Sequence, residues 1–220
     1  MIGIFDSGEG GLCALEKLRE LNQSVDICFF ADRENAPYGE KTKEELTRLA
    51  ASDIKRLLDF GADEILIACC TASTVWESLC EEYKRITTPI IKPTAEAAAK
   101  STKTKNIGVI ATRATAKSRK FTDALHAIDK ALCVYEMATP DFVTMAETAS
   151  PDRKKIEEAL LPLRDLKIDT LILGCTHFTR LENEIAECLS GVKLIHSSYE
   201  GAKEIAKKIN YTEMGKTYFL

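Results

Sequence analysis

The sequence predicts an α/β protein of two similar lobes, each a parallel sheet flanked by helices. Three observations carry that prediction. Short apolar runs alternate with longer segments whose apolar residues recur every three or four positions, the patterns of strands and amphipathic helices in turn. The short runs are apolar throughout rather than alternating, as expected where a parallel sheet is covered on both faces. The two halves also echo each other. "IGIFDSG" and "IGVIATRAT" both run a strand into a polar turn, as do "ILIACCT" and "LILGCTH".

Taken in order, strands are expected at 2–5, 26–30, 64–69, 89–92, 107–111, 131–136, 170–174, 192–196 and 217–220. Between them "GLCALEKLREL", "TKEELTRLAASDIKRLLDFG", "RKKIEEALLPLRDL" and "YEGAKEIAKKI" have helical spacing, and Gly61 closes the second of these. The character of the chain changes near "IIKPTAEAAAKSTKTKNIGVI". A small-residue helix follows Pro93, then the polar "KSTKTKN" turn, then a new strand. This sets a lobe boundary around 93–97, giving one lobe over 1–95, completed by 198–220, and a second over 96–197.

Composition narrows the function. The chain has 220 residues, 45% hydrophobic and 29% charged, the profile of a soluble globular protein. A net charge of −4 without a basic block argues against nucleic acid and anionic membrane as partners. The N-terminal "MIGIFDSGEGG" has no basic segment ahead of an apolar one, and no apolar run reaches the roughly 20 residues of a membrane span. A cytoplasmic location is expected. Eight cysteines, at 13, 28, 69, 70, 80, 133, 175 and 188, match no zinc or disulfide spacing and are expected as reduced thiols. Those at 13, 28, 80, 133 and 188 are expected to pack as small core residues.

Ligands of open parallel sheets bind outside the carboxyl ends of the strands, and the chemistry-bearing residues fall there. "FDSGEGG" brings Asp6 and Ser7 to the end of the first strand. Its helix start could hold a carboxylate or phosphate on backbone N–H groups, although the spacing fits neither GxGxxG nor a Walker loop. "ADRENAPYGEKT" places Tyr38 and Gly39 where a turn could close over a small ligand, and "ATRAT" adds hydroxyls at 112 and 115 that also suit a helix cap. "CCTAS" and "GCTH" each deliver a thiol and a threonine to a strand mouth. The thiols could ionise beside a proton acceptor such as Asp6 or His177. A Cys–His nucleophile of the protease type is the alternative, and it leaves the second thiol without a use.

The motifs "GIFDSGEGGL", "APYGEKT", "ACCTAS", "ATRATAKS", "FVTMAE" and "LGCTHF", in this order over nearly the whole chain, resemble those of glutamate racemases of the aspartate/glutamate racemase superfamily. The resemblance implies a racemase that needs neither pyridoxal phosphate nor metal, with its substrate in the cleft between two lobes. One thiol would take the α-proton while the other returns one to the opposite face. It implies Cys69 and Cys175 as that pair, Asp6 as helper near Cys69, His177 as helper near Cys175, and Glu147 close to the Asp6–Cys69 side. Ser7, Pro37, Tyr38, Gly39, Cys70, Thr71, Thr112, Thr115 and Thr176 match positions that hold the substrate, and the product would be D-glutamate for peptidoglycan. The family usually has Asn where this chain has Cys70, Tyr-Pro where it has Phe178-Thr179, and a small apolar residue where it has Glu9. Another small acidic substrate therefore stands beside glutamate, with a non-catalytic amino-acid-binding relative as the reading from a different class. The sequence leaves a homodimer open.

Overall fold

A computed structural model describes residues 1–208 and 215–220. Among the described residues the strands are β1 (Ile2–Asp6), β2 (Ile27–Ala31), β3 (Glu64–Ile67), β4 (Thr87–Pro89), β5 (Asn106–Ala111), β6 (Cys133–Ala138), β7 (Thr170–Gly174), β8 (Lys193–His196) and β9 (Thr217–Phe219). They form two wholly parallel sheets, ordered β4-β3-β1-β2-β9 and β6-β5-β7-β8. Reversing the second gives β8-β7-β5-β6, so the first four strands of each sheet are wound identically. The echo in the sequence is an echo in topology: β1 corresponds to β5 and β3 to β7.

The helices are α1 (Leu12–Leu21), α2 (Lys43–Phe60), α3 (Cys70–Ser73), α4 (Glu81–Ile86), α5 (Ile91–Ser101), α6 (Arg113–Ser118), α7 (Lys120–Ile128), α8 (Asp141–Glu147), α9 (Arg153–Asp165), α10 (Glu182–Cys188) and α11 (Ser197–Ala206). The boundaries of α2 are written in its sequence. The Thr42 hydroxyl accepts the Glu45 N–H at 3.2 Å while the Glu45 carboxylate accepts the Thr42 N–H at 2.8 Å. Gly61 ends it at φ 107°, a left-handed backbone that costs a glycine little. Its buried face, Leu46, Leu49, Ala50, Ile54 and Leu57, covers the outer side of the first sheet, and one polar residue, Asp53, is buried among them. Helices α8, α9 and α10 cover the outer side of the second sheet. Between the sheets one continuous apolar core joins Ile4 and Leu66 of the first to Val109 and Ile172 of the second through residues of α1, α5 and α11.

Several expectations need correction. The fourth strand lies at Thr87–Pro89, not 89–92, because Ile91 and Lys92 open α5 and Pro93 sits in its first turn, where a missing N–H breaks no helical bond. The 93–97 stretch is therefore inside a helix. The strand expected at 131–136 begins at Cys133, since the Ala131 N–H is taken by Asp129 Oδ1 in a turn. Cys28 is a core residue as expected, but Cys80 and Cys133 are exposed, one capping α4 and the other on an edge strand, while Cys13 and Cys188 are half-buried. The helix read through Ile209 ends at Ala206, and Ile209 itself lies outside the described residues.

Candidate active site

Each sheet has one place where consecutive connections leave in opposite directions: between β1 and β3 in the first sheet, and between β5 and β7 in the second. The crevice at such a point is where an open α/β sheet receives a ligand. Asp6 ends β1, Ser7 follows it and Cys69 lies just past β3; Thr112 and Cys175 follow β5 and β7. The two crevices open into one cleft of about 420 Å³, lined among others by Ser7, Cys69, Cys70, Thr71, Thr112 and Cys175. A larger depression, about 600 Å³, has Trp76, Pro89, Ile91 and Ala124 on its walls and no thiol. Chemistry rather than volume selects the smaller one.

On the first-sheet side, β3 ends at Ile67 and Cys69 caps α3, its sulfur accepting the Ala72 N–H at 3.4 Å. Ser7 Oγ lies 3.4 Å from the same sulfur. Burial pushes the Cys69 thiol up to about 12, the Asp6 charge adds to the rise, and the Ser7 hydroxyl and Ala72 N–H oppose it. On the other side Cys175 Sγ stands 3.6 Å from His177 Nδ1. Burial raises its thiol too, the His177 N–H opposes, and Asp6, Cys69 and Glu147 raise it further.

Asp6 is fully buried between the two halves. Its carboxylate accepts the Gly11 N–H at 2.9 Å and has Thr176 Oγ1 at 3.3 Å, a contact between lobes. Burial raises its carboxyl, and His177 is the strongest influence against that rise. Two glycines permit this closeness. A Cβ on Gly10 would collide with Thr176 Oγ1, and one on Gly39 would stand 2.9 Å from Thr112 Cβ. The hydroxyls of Thr71, Thr112 and Thr115 form a triangle with every side 3.0 Å, which again crosses from one lobe to the other.

Most of the residues expected from the sequence meet here, but not all in the expected place. Ser7, Pro37, Gly39, Cys69, Cys70, Thr71, Thr112, Cys175, Thr176, His177 and Glu147 line the cleft. Glu147 was expected beside Asp6 and Cys69. It stands instead by the second thiol's histidine, with Oε1 3.3 Å from His177 Nε2, because α8 belongs to the second lobe. That nitrogen is buried and lacks a well-aligned hydrogen bond. Tyr38 was expected to touch a ligand, yet its side chain turns into the core behind the cleft wall, where Asp32 and Asp53 meet its hydroxyl. Thr115 is fully buried and backs Thr71 and Thr112 rather than facing the cleft. Sequence reasoning missed Glu40, Arg113, Asp141 and Thr144, which also line it. Arg113 sat between two residues already singled out, and Glu40 followed the "PYG" turn. An ion pair of 2.9 Å joins these two across the cleft mouth.

Comparison with known proteins gives a consistent result. Residues 19–205 match the family model described as Asp/Glu/Hydantoin racemase. A glutamate racemase of Aquifex aeolicus is 39% identical over 208 residues, covering 93% of this chain and 81% of that protein. The crystal structure of a glutamate racemase isoform from Bacillus anthracis superposes with a TM-score of 0.93 at 34% identity, over 100% of this chain and 87% of the other. A glutamate racemase from Francisella tularensis, solved in complex with D-glutamate, gives 0.90 at 31% identity, over 99% and 86%.

Proposed function

Because this chain belongs to the Asp/Glu/Hydantoin racemase family, we propose that it is an isomerase interconverting L- and D-glutamate by proton transfer between two thiols. The observation that carries the reading is that Cys69 and Cys175 line the same cleft from equivalent strand ends of two identically wound sheets. Inversion at a carbon needs one group to remove a proton from one face and another to supply one from the opposite face. Two opposed thiols meet that need and leave the count of protons unchanged after each turnover.

In this reading one sulfur begins as thiolate and the other as thiol. The surroundings hold both as thiols, since burial and Asp6 raise them. A substrate ammonium between them would lower both, so binding itself prepares the base. Ser7 and the Ala72 N–H stabilise negative charge on Cys69, whereas His177, backed by Glu147, moves the proton at Cys175. Asp6, in contact with Thr176 and coupled electrically to both sulfurs, biases which one is charged. Thr71, Thr112 and Thr176 supply hydroxyls to the substrate carboxylates, with Thr115 fixing the orientation of the first two. Pro37, Gly39 and Cys70 shape the space.

We assign the first lobe to 1–95, completed by 198–220, and the second to 96–197. D-glutamate made in the cytoplasm would supply peptidoglycan. Among the described residues no helix is long and apolar enough to cross a membrane. Incubation with L-glutamate in deuterium oxide should give D-glutamate carrying α-deuterium, and Cys69→Ala and Cys175→Ala should each abolish inversion. Inversion at the unmodified rate in either variant overturns the two-thiol assignment. Inversion of another acidic amino acid but not of glutamate keeps the mechanism and replaces the substrate.

A further inference from the structure

Behind the cleft wall, one buried cluster has more hydrogen-bond contacts than its obvious protons allow. Tyr38 Oη lies 2.6 Å from Asp32 Oδ2 and 2.8 Å from Asp53 Oδ2, and the three residues are 1%, 3% and 3% exposed. A phenol carries one proton and donates to one carboxylate only. With both acids ionised, the second carboxylate would face phenol lone pairs at contact distance with little water to screen it. Two good bonds at one phenol oxygen require that one acid carry a proton and donate it.

The surroundings select which acid that is. Asp32 Oδ1 also accepts the Asn35 amide at 3.0 Å, a bond that suits an ionised carboxylate. For Asp53 the phenol is the one hydrogen-bond partner among the described residues. Burial pushes the Asp53 carboxyl up to about 7; the Asp32 charge adds to this, while the Tyr38 bond and Arg56 oppose it.

We propose that Asp32 and Asp53 share one proton through the Tyr38 hydroxyl, and that they are positioning residues holding the 37–40 wall of the cleft in its ligand-ready place. Tyr38 is the point of attachment, since its neighbours Pro37, Gly39 and Glu40 line the cleft and Gly39 lies against Thr112. When the shared proton leaves, one of the two bonds becomes a repulsion, the wall loosens, and substrate binds more weakly. The charged groups around the cluster are Arg56 from α2, which lies over the Phe30 ring at 4.4 Å, and the Glu40–Arg113 pair on the outer side of the turn. Asp53 itself touches no substrate in this arrangement.

The inference rests on the racemase reading for its assay, and a second measurement is free of it. KM for glutamate should rise about two- to tenfold from about pH 6 to about pH 8, the effect of one lost hydrogen bond on an equilibrium. Asp53→Asn, whose amide donates to the phenol at every pH, should flatten that rise while keeping kcat. Tyr38→Phe should raise KM at all pH values, and Asp53→Leu, which removes both the titrating proton and the second bond, should give a KM that is raised and no longer varies with pH over this range. Infrared difference spectra of the unmodified protein should show a buried carboxylic-acid stretch that fades over the same range and is missing in Asp53→Asn. A KM profile in Asp53→Asn that still rises like the unmodified one overturns the proposal. So does the absence of the stretch near pH 6. If glutamate is not turned over at any pH while the stretch behaves as described, the function is wrong and the shared proton stands.

Discussion

Cys70 stands where the resemblance to glutamate racemases leads one to expect an amide. The residue is 2% exposed, opens α3, lines the cleft and belongs to the apolar core. A thiol donates and accepts hydrogen bonds weakly where an amide does both well. One such bond to a neutral group is worth about 0.5–1.5 kcal/mol, and more to a charged one. Cys70→Asn should therefore raise kcat/KM for L- and D-glutamate by up to about tenfold, one factor of ten per 1.4 kcal/mol. Steady-state kinetics of both enantiomers check this, and an unchanged or lowered ratio would mean that the site has been rebuilt around the thiol. This residue was legible from its neighbours in "ACCT". Tyr38 was not, because a tyrosine at a turn reads as a ligand contact unless the two aspartates that hold it, at 32 and 53, are known to be near.

The strands and the long amphipathic helices were readable as elements because burial on one or both faces imposes a period on the sequence. Helix α2, with its capping box and terminal glycine, announces both of its ends. Short helices such as α6 and α10 follow directly on strand turns, and six or seven residues hold too few repeats to show a period. The junction between α5 and β5 is a polar turn in the sequence, and the structure gives it a purpose. Asp169, just before β7, accepts the Thr102 hydroxyl at 2.6 Å and the N–H groups of Lys103 and Thr104 at 2.6 and 2.7 Å. Burial pulls its carboxyl up, but these donors win and hold it well below the usual carboxylate range. A depressed native pKa gives stability that is present above the unfolded value of about 3.9 and lost as pH falls through the native one. Asp169→Asn should cost about 1–3 kcal/mol near neutral pH. Denaturant unfolding of both proteins should show that gap closing in acid, and a gap independent of pH would count against the carboxylate as its source.

Besides the shared apolar core, two kinds of contact join the lobes near the surface and the cleft, and magnitudes separate them. Glu40–Arg113 and Glu77–Lys120 are ion pairs at 2.9 and 2.5 Å at the surface, with Lys120 half-buried and the other three partners exposed, and such pairs contribute about 0–1 kcal/mol. The close approach at Gly39 leaves no room for even one methyl group. Gly39→Ala should therefore lower kcat/KM by an order of magnitude or more, while Lys120→Ala should leave both kcat/KM and the melting temperature nearly unchanged. Comparable losses in the two variants would show the ion pair to matter as much as the close approach at Gly39. The identical winding of the sheets puts the thiols in equivalent places, yet their companions differ: Ser7 and an amide N–H beside Cys69, His177 and Glu147 beside Cys175. Mirror-image amino acids have equal free energies in water, so the equilibrium constant between them is unity. By the Haldane relation, kcat/KM must then be equal in the two directions for any such enzyme, however unlike its two bases. The inequality of the thiols' surroundings is thus confined to how each direction divides that common ratio between turnover and saturation, and a change at His177 must alter both directions by one factor at low substrate, leaving only the maximal rates free to respond unequally.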